Sequence, residues 1–208
     1  MTINEKANEA ITALFKAGVQ TASTLDRIKS QEAQERAWLE SEQTGKQHFL
    51  AAQAKLASER EIAAETLKKD TLAIVDEFKN ATAEMYQFKP EAISEAEWKT
   101  FELVDFTDDE FKALVEKYAK AENYLALRVL ETKAGRQGVD LHLPYKEYGA
   151  QLDKLIDSAA EYASSYAFDT DGTAYRDNLG AIATGLIGQA NALETNAQVA
   201  VLGGSSAE

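Results

Sequence analysis

KQHFLAAQAKLASEREIAAETLKKDTLAIVDEFKNATAEMYQF, residues 46–88, runs without a proline, a glycine or a turn cluster. Ala, Leu, Glu and Lys dominate it, and these are strong helix formers. As one helix it would extend roughly 60 Å at 1.5 Å per residue. Its second half carries apolar or small residues at alternating steps of three and four: Ala64, Leu67, Thr71, Ile74, Phe78, Ala81, Met85, Phe88. That spacing keeps a narrow stripe turned towards one partner helix. Leu67, Ile74, Phe78, Met85 and Phe88 are therefore the candidate self-association seam. Towards residue 46 the stripe thins to Ala51, Ala52, Ala54 and Ala57, which bury little area but admit a close backbone. The same pattern serves a bundle within one chain, because bundles and coiled coils share a packing geometry. Both readings stay open at this level.

Outward from this stretch the chain reads as all-α. The expected fold is an elongated helical bundle with a long N-terminal helical hairpin or coiled-coil arm. Only Pro90 and Pro144 interrupt 208 residues, and 45 % of the chain is hydrophobic, enough to form a core. Thr2 and Glu5 form a capping-box pattern ahead of Ile3, Ala7, Ile11, Leu14 and Phe15. Gly18 weakens that first helix by about 1 kcal/mol relative to Ala. Trp38 and Leu39 stand alone in the polar segment 30–42, either docked locally or exposed to a partner. Thr44-Gly45 is the expected break. It gives helices of about 3–42 and 46–88 folded as a hairpin, and if Gly45 is absorbed the alternative is one continuous helix.

Pro90 ends the arm, since proline disfavours helical geometry in the residue before it. A denser aromatic segment follows, with capping boxes at Ser94–Glu97 and Thr107–Glu110. One helix is expected over about 108–134, with Gly135 as its left-handed cap. Val139–Leu143 is expected as a loop and Tyr145–Tyr166 as the next helix. A Gly/Ala-rich helix over 175–201 and a disordered tail from Gly203 complete the chain. The domain division is 1–89 as arm, 90–170 as compact helical body, and 171–208 as last helix and tail.

Composition bounds the function. Without cysteine there are no disulfides, zinc–thiolate sites or cysteine nucleophiles. A net charge of −13 disfavours binding to phosphate backbones, so no nucleic-acid partner is expected. No apolar run is long enough to span a bilayer. The segment MTINEKANEAITALF has no basic start followed by an apolar core, so no signal peptide and no membrane partner are expected. Localisation is read as cytoplasmic or in a virion.

Motifs of chemistry are few. Phe168-Asp-Thr-Asp-Gly-Thr173 resembles the Asp-x-Asp-Gly-Thr signature of haloacid-dehalogenase-like phosphatases. In that family the first Asp is a nucleophile and the second a general acid, both after a buried strand. Here the preceding residues read as the end of a helix, and too little chain follows for the family's later motifs. The five residues are read as an Asx-type turn with Gly172 at a positive φ. A calcium loop with Gly172 in sixth place would put Ala167 first and Asn178 last, so a complete EF-hand is excluded. A partial cation site through Asp169, Asp171 and Asp177 stays open. His48 and His142 have no ligand partners at metal spacing. Hence no catalytic, cofactor-binding or metal residues are assigned, and no enzyme is expected.

Acidic, cysteine-free helical chains of this size with a loose tail are similar in composition and layout to bacteriophage capsid-assembly or scaffold-type proteins. That likeness implies a structural or assembly role through helix packing, with the chain itself as partner in a homo-oligomer and another protein besides. The alternative is an intracellular helical adaptor or regulator that uses residues 30–60 to bind a single protein.

Overall fold

The computed structural model describes residues 2–87, 89–139, 141, 143, 145–168 and 179–202. Among these there are helices and connecting turns and no strand: α1 (Ile3–Glu40), α2 (Lys46–Met85), α3 (Glu95–Leu103), α4 (Asp108–Lys120), α5 (Tyr124–Arg136), α6 (Tyr145–Phe168) and α7 (Leu179–Leu202). The fold is all-α, as the composition and periodicity predict. A single 3₁₀ turn, Pro90–Ala92, follows α2, with Pro90 in its first position.

Residues 3–88 do not form one helix. α1 and α2 are a hairpin, and antiparallel cross-pairs join them: Arg27 to Glu59 at 2.7 Å, and Arg60 to Glu32 at 2.8 Å. The break lies over residues 41–45, so it includes the expected Thr44-Gly45, and α2 starts at Lys46. Beyond the end of α1 at Glu40, Glu42 takes the left-handed conformation (φ 59°), and the Gln43 N–H reaches back to the Trp38 carbonyl at 2.9 Å. This six-to-one bond around a left-handed residue satisfies a carbonyl that the helix end would otherwise orphan. Gly45 instead opens α2, its carbonyl accepting from Phe49 N–H at 3.1 Å.

The same device corrects the helix expected over 108–134, which is two helices. Glu122 takes φ 50° and Asn123 N–H bonds the Tyr118 carbonyl at 2.9 Å, ending α4. Asn123 then caps α5, its side-chain oxygen accepting from Ala126 N–H at 3.1 Å. Apolar spacing runs unbroken across this joint, so periodicity alone could not find it. Gly135 is not the cap of α5 but lies inside it. Gly138 carries the positive φ (75°), and Val139 N–H closes on the Ala134 carbonyl at 2.9 Å. The capping boxes at Thr2, Ser94 and Thr107 all form as the sequence predicts.

The chain divides into two compact units whose borders run inside helices. One comprises Glu9–Glu77 and Ile156–Leu186. Its core includes Ile11, Leu14, Phe15, Ile28, Leu56, Leu67 and Ile156. On α6 the buried residues Ala159, Ala163 and Ala167 recur every four positions. This small-residue stripe lets α1 come close: a Cβ placed on Gly18 would lie 2.7 Å from the Ala163 carbonyl oxygen. Gly18 is thus a packing requirement as well as a weak helix residue. The other unit comprises Met1–Asn8, Phe78–Leu155 and Ile187–Glu208. Phe101, Phe111, Val115, Tyr118, Leu127 and Leu130 centre its core. Edge-to-face ring pairs, Phe101–Tyr118 at 6.0 Å and Phe106–Phe111 at 5.4 Å, knit α3, α4 and the link before α4.

Candidate functional site

The seam residues of α2 are placed as follows. Leu67 and Phe78 are buried within the single chain, at 2 % and 3 % exposure. Ile74 is half-buried, and Met85 packs partly buried against the aromatic core. Phe88 lies outside the described residues. The large apolar side chains of α2 left in solvent are others: Leu50 at 55 %, Ile62 at 59 % and Leu72 at 53 %. Ile62 and Leu72 sit five residues either side of Leu67, each turned about 140° away from it at 100° per residue. They therefore occupy the face opposite Leu67. Trp38, near the hairpin turn, is 38 % exposed and not fully docked.

Polar chemistry concentrates in the aromatic unit. Tyr86 and Tyr124 stack obliquely at 5.5 Å, and the Tyr86 hydroxyl accepts from Gly149 N–H at 2.9 Å. Tyr148, also buried, has a hydroxyl with no hydrogen-bond partner among the described residues. Burial pushes the Tyr86, Tyr124 and Tyr148 hydroxyls above the ordinary phenol range, and nearby carboxylates add to the effect at Tyr124 and Tyr148. They are protonated at neutral pH and supply no base. Glu122 is also raised, first by burial, and accepts the Ile3 N–H at 3.0 Å. That bond occupies an orphan donor at the start of α1. Asn4 donates to Asn191 at 2.8 Å and Glu194 at 2.7 Å, fixing the beginning of α1 to α7. These carboxylates and amides hold helix ends. None is paired with a nucleophile.

Glu97 is the most perturbed acid. It accepts from Tyr118 OH at 2.6 Å, Ser94 N–H at 3.0 Å, Ser94 Oγ at 2.7 Å and Lys117 at 3.0 Å. Those donors, Tyr118 first, hold its pKa down to about 2. This is a helix-capping node that ties α3 to α4.

A groove of about 560 Å³ opens between α3 and α5. Trp98 and Phe101 of α3 and Leu125 and Val129 of α5 line it, together with Arg128, Lys133 and Arg136. Lys133 is held by Asp105 at 3.1 Å. The expectation of one helix over about 108–134 did not single out this face. The i, i+3, i+4, i+7, i+11 run of Leu125, Arg128, Val129, Thr132 and Arg136 carries its signal.

His48 faces Glu35 across the hairpin at 3.8 Å, with its ring largely exposed. His142, Asp169, Asp171 and Asp177 lie outside the described residues. Among the described residues no group of three or more His, Asp or Glu could hold a metal, and no helix is long and apolar enough to cross a membrane. No family model, no curated protein and no solved structure matches the chain.

Proposed function

We propose that the protein is a non-enzymatic structural or assembly component that works through helix packing and self-association, as a bacteriophage virion or capsid-assembly protein would. The observation that carries this reading is the α1–α2 hairpin with Leu50, Ile62 and Leu72 each more than half exposed on α2. Isolated exposed apolar residues are ordinary on a monomer. Here three large ones stand on one helix whose opposite face is already filled, so a further helix has somewhere to pack. Association through Leu67, Ile74, Phe78 and Met85 would require the chain to exchange its own packing for a partner's. Association through Ile62 and Leu72 would not.

The two routes separate by experiment. Sedimentation velocity over a concentration series should show mass-action growth of an oligomer. I62D/L72D should return it to monomer with its helicity intact. I74D/F78D should instead lower stability at every concentration, because Phe78 is buried in the single chain. A compact monomer at all concentrations sinks the assembly reading. Dissociation by I74D/F78D without loss of helicity would restore the seam as the intermolecular contact. The second reading, an adaptor for a single protein partner, draws on the exposed Trp38 and Leu50 on the hairpin.

A further inference from the structure

We propose that the groove between α3 and α5 docks an acidic amphipathic helix of a partner protein. This rests on the reading of the chain as one that works by packing helices, and it names a second surface and the chemistry of its occupant. The floor is apolar. Phe101 is buried, and Trp98, Leu125 and Val129 are only partly covered. The volume of about 560 Å³ lies in the range of clefts that bury a small-molecule ligand. The stripe from Leu125 to Arg136 spans about 16 Å along α5, room for three turns of a guest helix with apolar anchors at i, i+3 or i+4, and i+7.

Charge selects the guest. The lining carries Arg128 and Arg136, and a Lys133 already paired with Asp105, against one lining acid, Glu102. The whole chain carries 35 acidic residues against 22 basic. The groove therefore reverses the balance of the molecule around it. Arg128 and Arg136 are exposed and make no ion pair among the described residues. Elsewhere Arg27 and Arg60 are matched to Glu59 and Glu32, while Arg36, which lines no groove, is like Arg128 and Arg136 in making no ion pair among the described residues. Two unmatched guanidiniums beside an apolar floor suit carboxylates flanking apolar anchors, since a guanidinium can take a carboxylate in a two-bonded fork. At physiological salt charges are screened beyond about 8 Å, so these local cations outweigh the distant negative surface for a seated guest.

The test uses two synthetic amphipathic peptides of roughly 15 residues with identical Leu and Phe anchors, their polar faces Glu-rich or Lys-rich. Binding is read by peptide anisotropy and by Trp98 emission in a W38F background, at physiological salt. The Glu-rich peptide should bind and shift the emission, and the Lys-rich one should bind at least about tenfold more weakly. R128E/R136E, both at exposed sites, should reverse that order with an unchanged far-ultraviolet spectrum. Equal binding of both peptides, no binding up to about 1 mM, or indifference to R128E/R136E overturns the proposal. So does arginine-dependent binding to phosphatidylserine vesicles or to a single-stranded oligonucleotide in place of the Glu-rich peptide. If R128E/R136E shifts the sedimentation coefficient of the protein alone, the occupant is a second copy and the proposal also falls. Peptide binding by a protein that is monomeric at every concentration would keep the groove and discard self-association. An oligomer that ignores both peptides would do the reverse.

Discussion

Gly18→Ala sets two effects of opposite sign against each other. Alanine in place of glycine inside a helix gains about 1 kcal/mol from propensity alone. At Gly18 the new Cβ would meet the Ala163 carbonyl oxygen at 2.7 Å and its carbonyl carbon and Cα at 3.3 Å. All three are backbone atoms, so no side chain can swing away. Reaching an ordinary separation of 3.4 Å means opening α1 from α6 by about 0.7 Å (3.4 − 2.7). That displacement loosens Ala159, Ala163 and Ala167 together, all buried now. Overpacking of this kind costs about 1–3 kcal/mol. The net expectation is a loss of about 1 kcal/mol, or a Tm lower by about 2–4 °C for a chain of this size. Gly185→Ala is the control. It lies inside α7 in the same compact unit with nothing within 4 Å of its Cβ position, so it should gain about 0.5–1 kcal/mol from propensity. Urea denaturation followed by circular dichroism at 222 nm measures both. If Gly18→Ala stabilises as much as Gly185→Ala, the helices do not pack as closely as described.

Two further expectations concern other joints. Glu42→Gly should stabilise by about 1 kcal/mol, because a left-handed φ of 59° costs a residue with a Cβ about that much and glycine nothing; a loss in urea denaturation would show that the Glu42 side chain itself holds the turn. Glu97 has a folded-state pKa near 2 against 4.5 unperturbed, so its contribution is whole above about pH 4.5 and fades as pH falls towards 2. The full linkage would be about 3 kcal/mol, but with a third of the side chain exposed, solvent screening reduces it to about 1 kcal/mol. Tyr118→Phe removes the largest cause of that shift, so its destabilisation should be greater at pH 7 than at pH 2.5; equal losses at both would refute the link.

The sequence shows where helices are more clearly than where they stop. Ser94–Glu97 and Thr107–Glu110 announce their helix starts because a capping box is made of side chains, and side chains are what a sequence spells out. The ends at Glu42 and Glu122 are made by backbone: a left-handed residue and a six-to-one hydrogen bond. Any residue that tolerates the strain can serve, so glutamates sit where a reader looks for glycine. Thr44-Gly45 lies within the link that separates α1 from α2, although the left-handed residue there is Glu42, whereas Gly135 lies three residues before the glycine that turns the chain. Gly135 has ordinary helical geometry, and the demand for positive φ falls on Gly138.

The functional surface was less legible for a related reason. The three-and-four spacing of Leu67, Ile74 and Phe78 shows that these side chains share a face, but the spacing is the same whether the face meets another copy or the chain's own helices. Burial of Leu67 and Phe78 in a single chain shows that they are already covered there. It also moves attention to Ile62 and Leu72, which fall off the heptad and so look like noise in a periodicity count. The α3–α5 groove was hidden more deeply. Leu125 and Val129 belong to a run of apolar helical spacing, and the spacing does not single out Arg128 and Arg136. Only the placement of α3 beside α5 turns that border between apolar and basic into a concave site. A helical protein's binding surface is defined by which helices are neighbours, and helix spacing along one segment carries no information about the next. For this chain, then, the residues that sequence reading sets aside as exceptions to the pattern are the ones that most need to be substituted first.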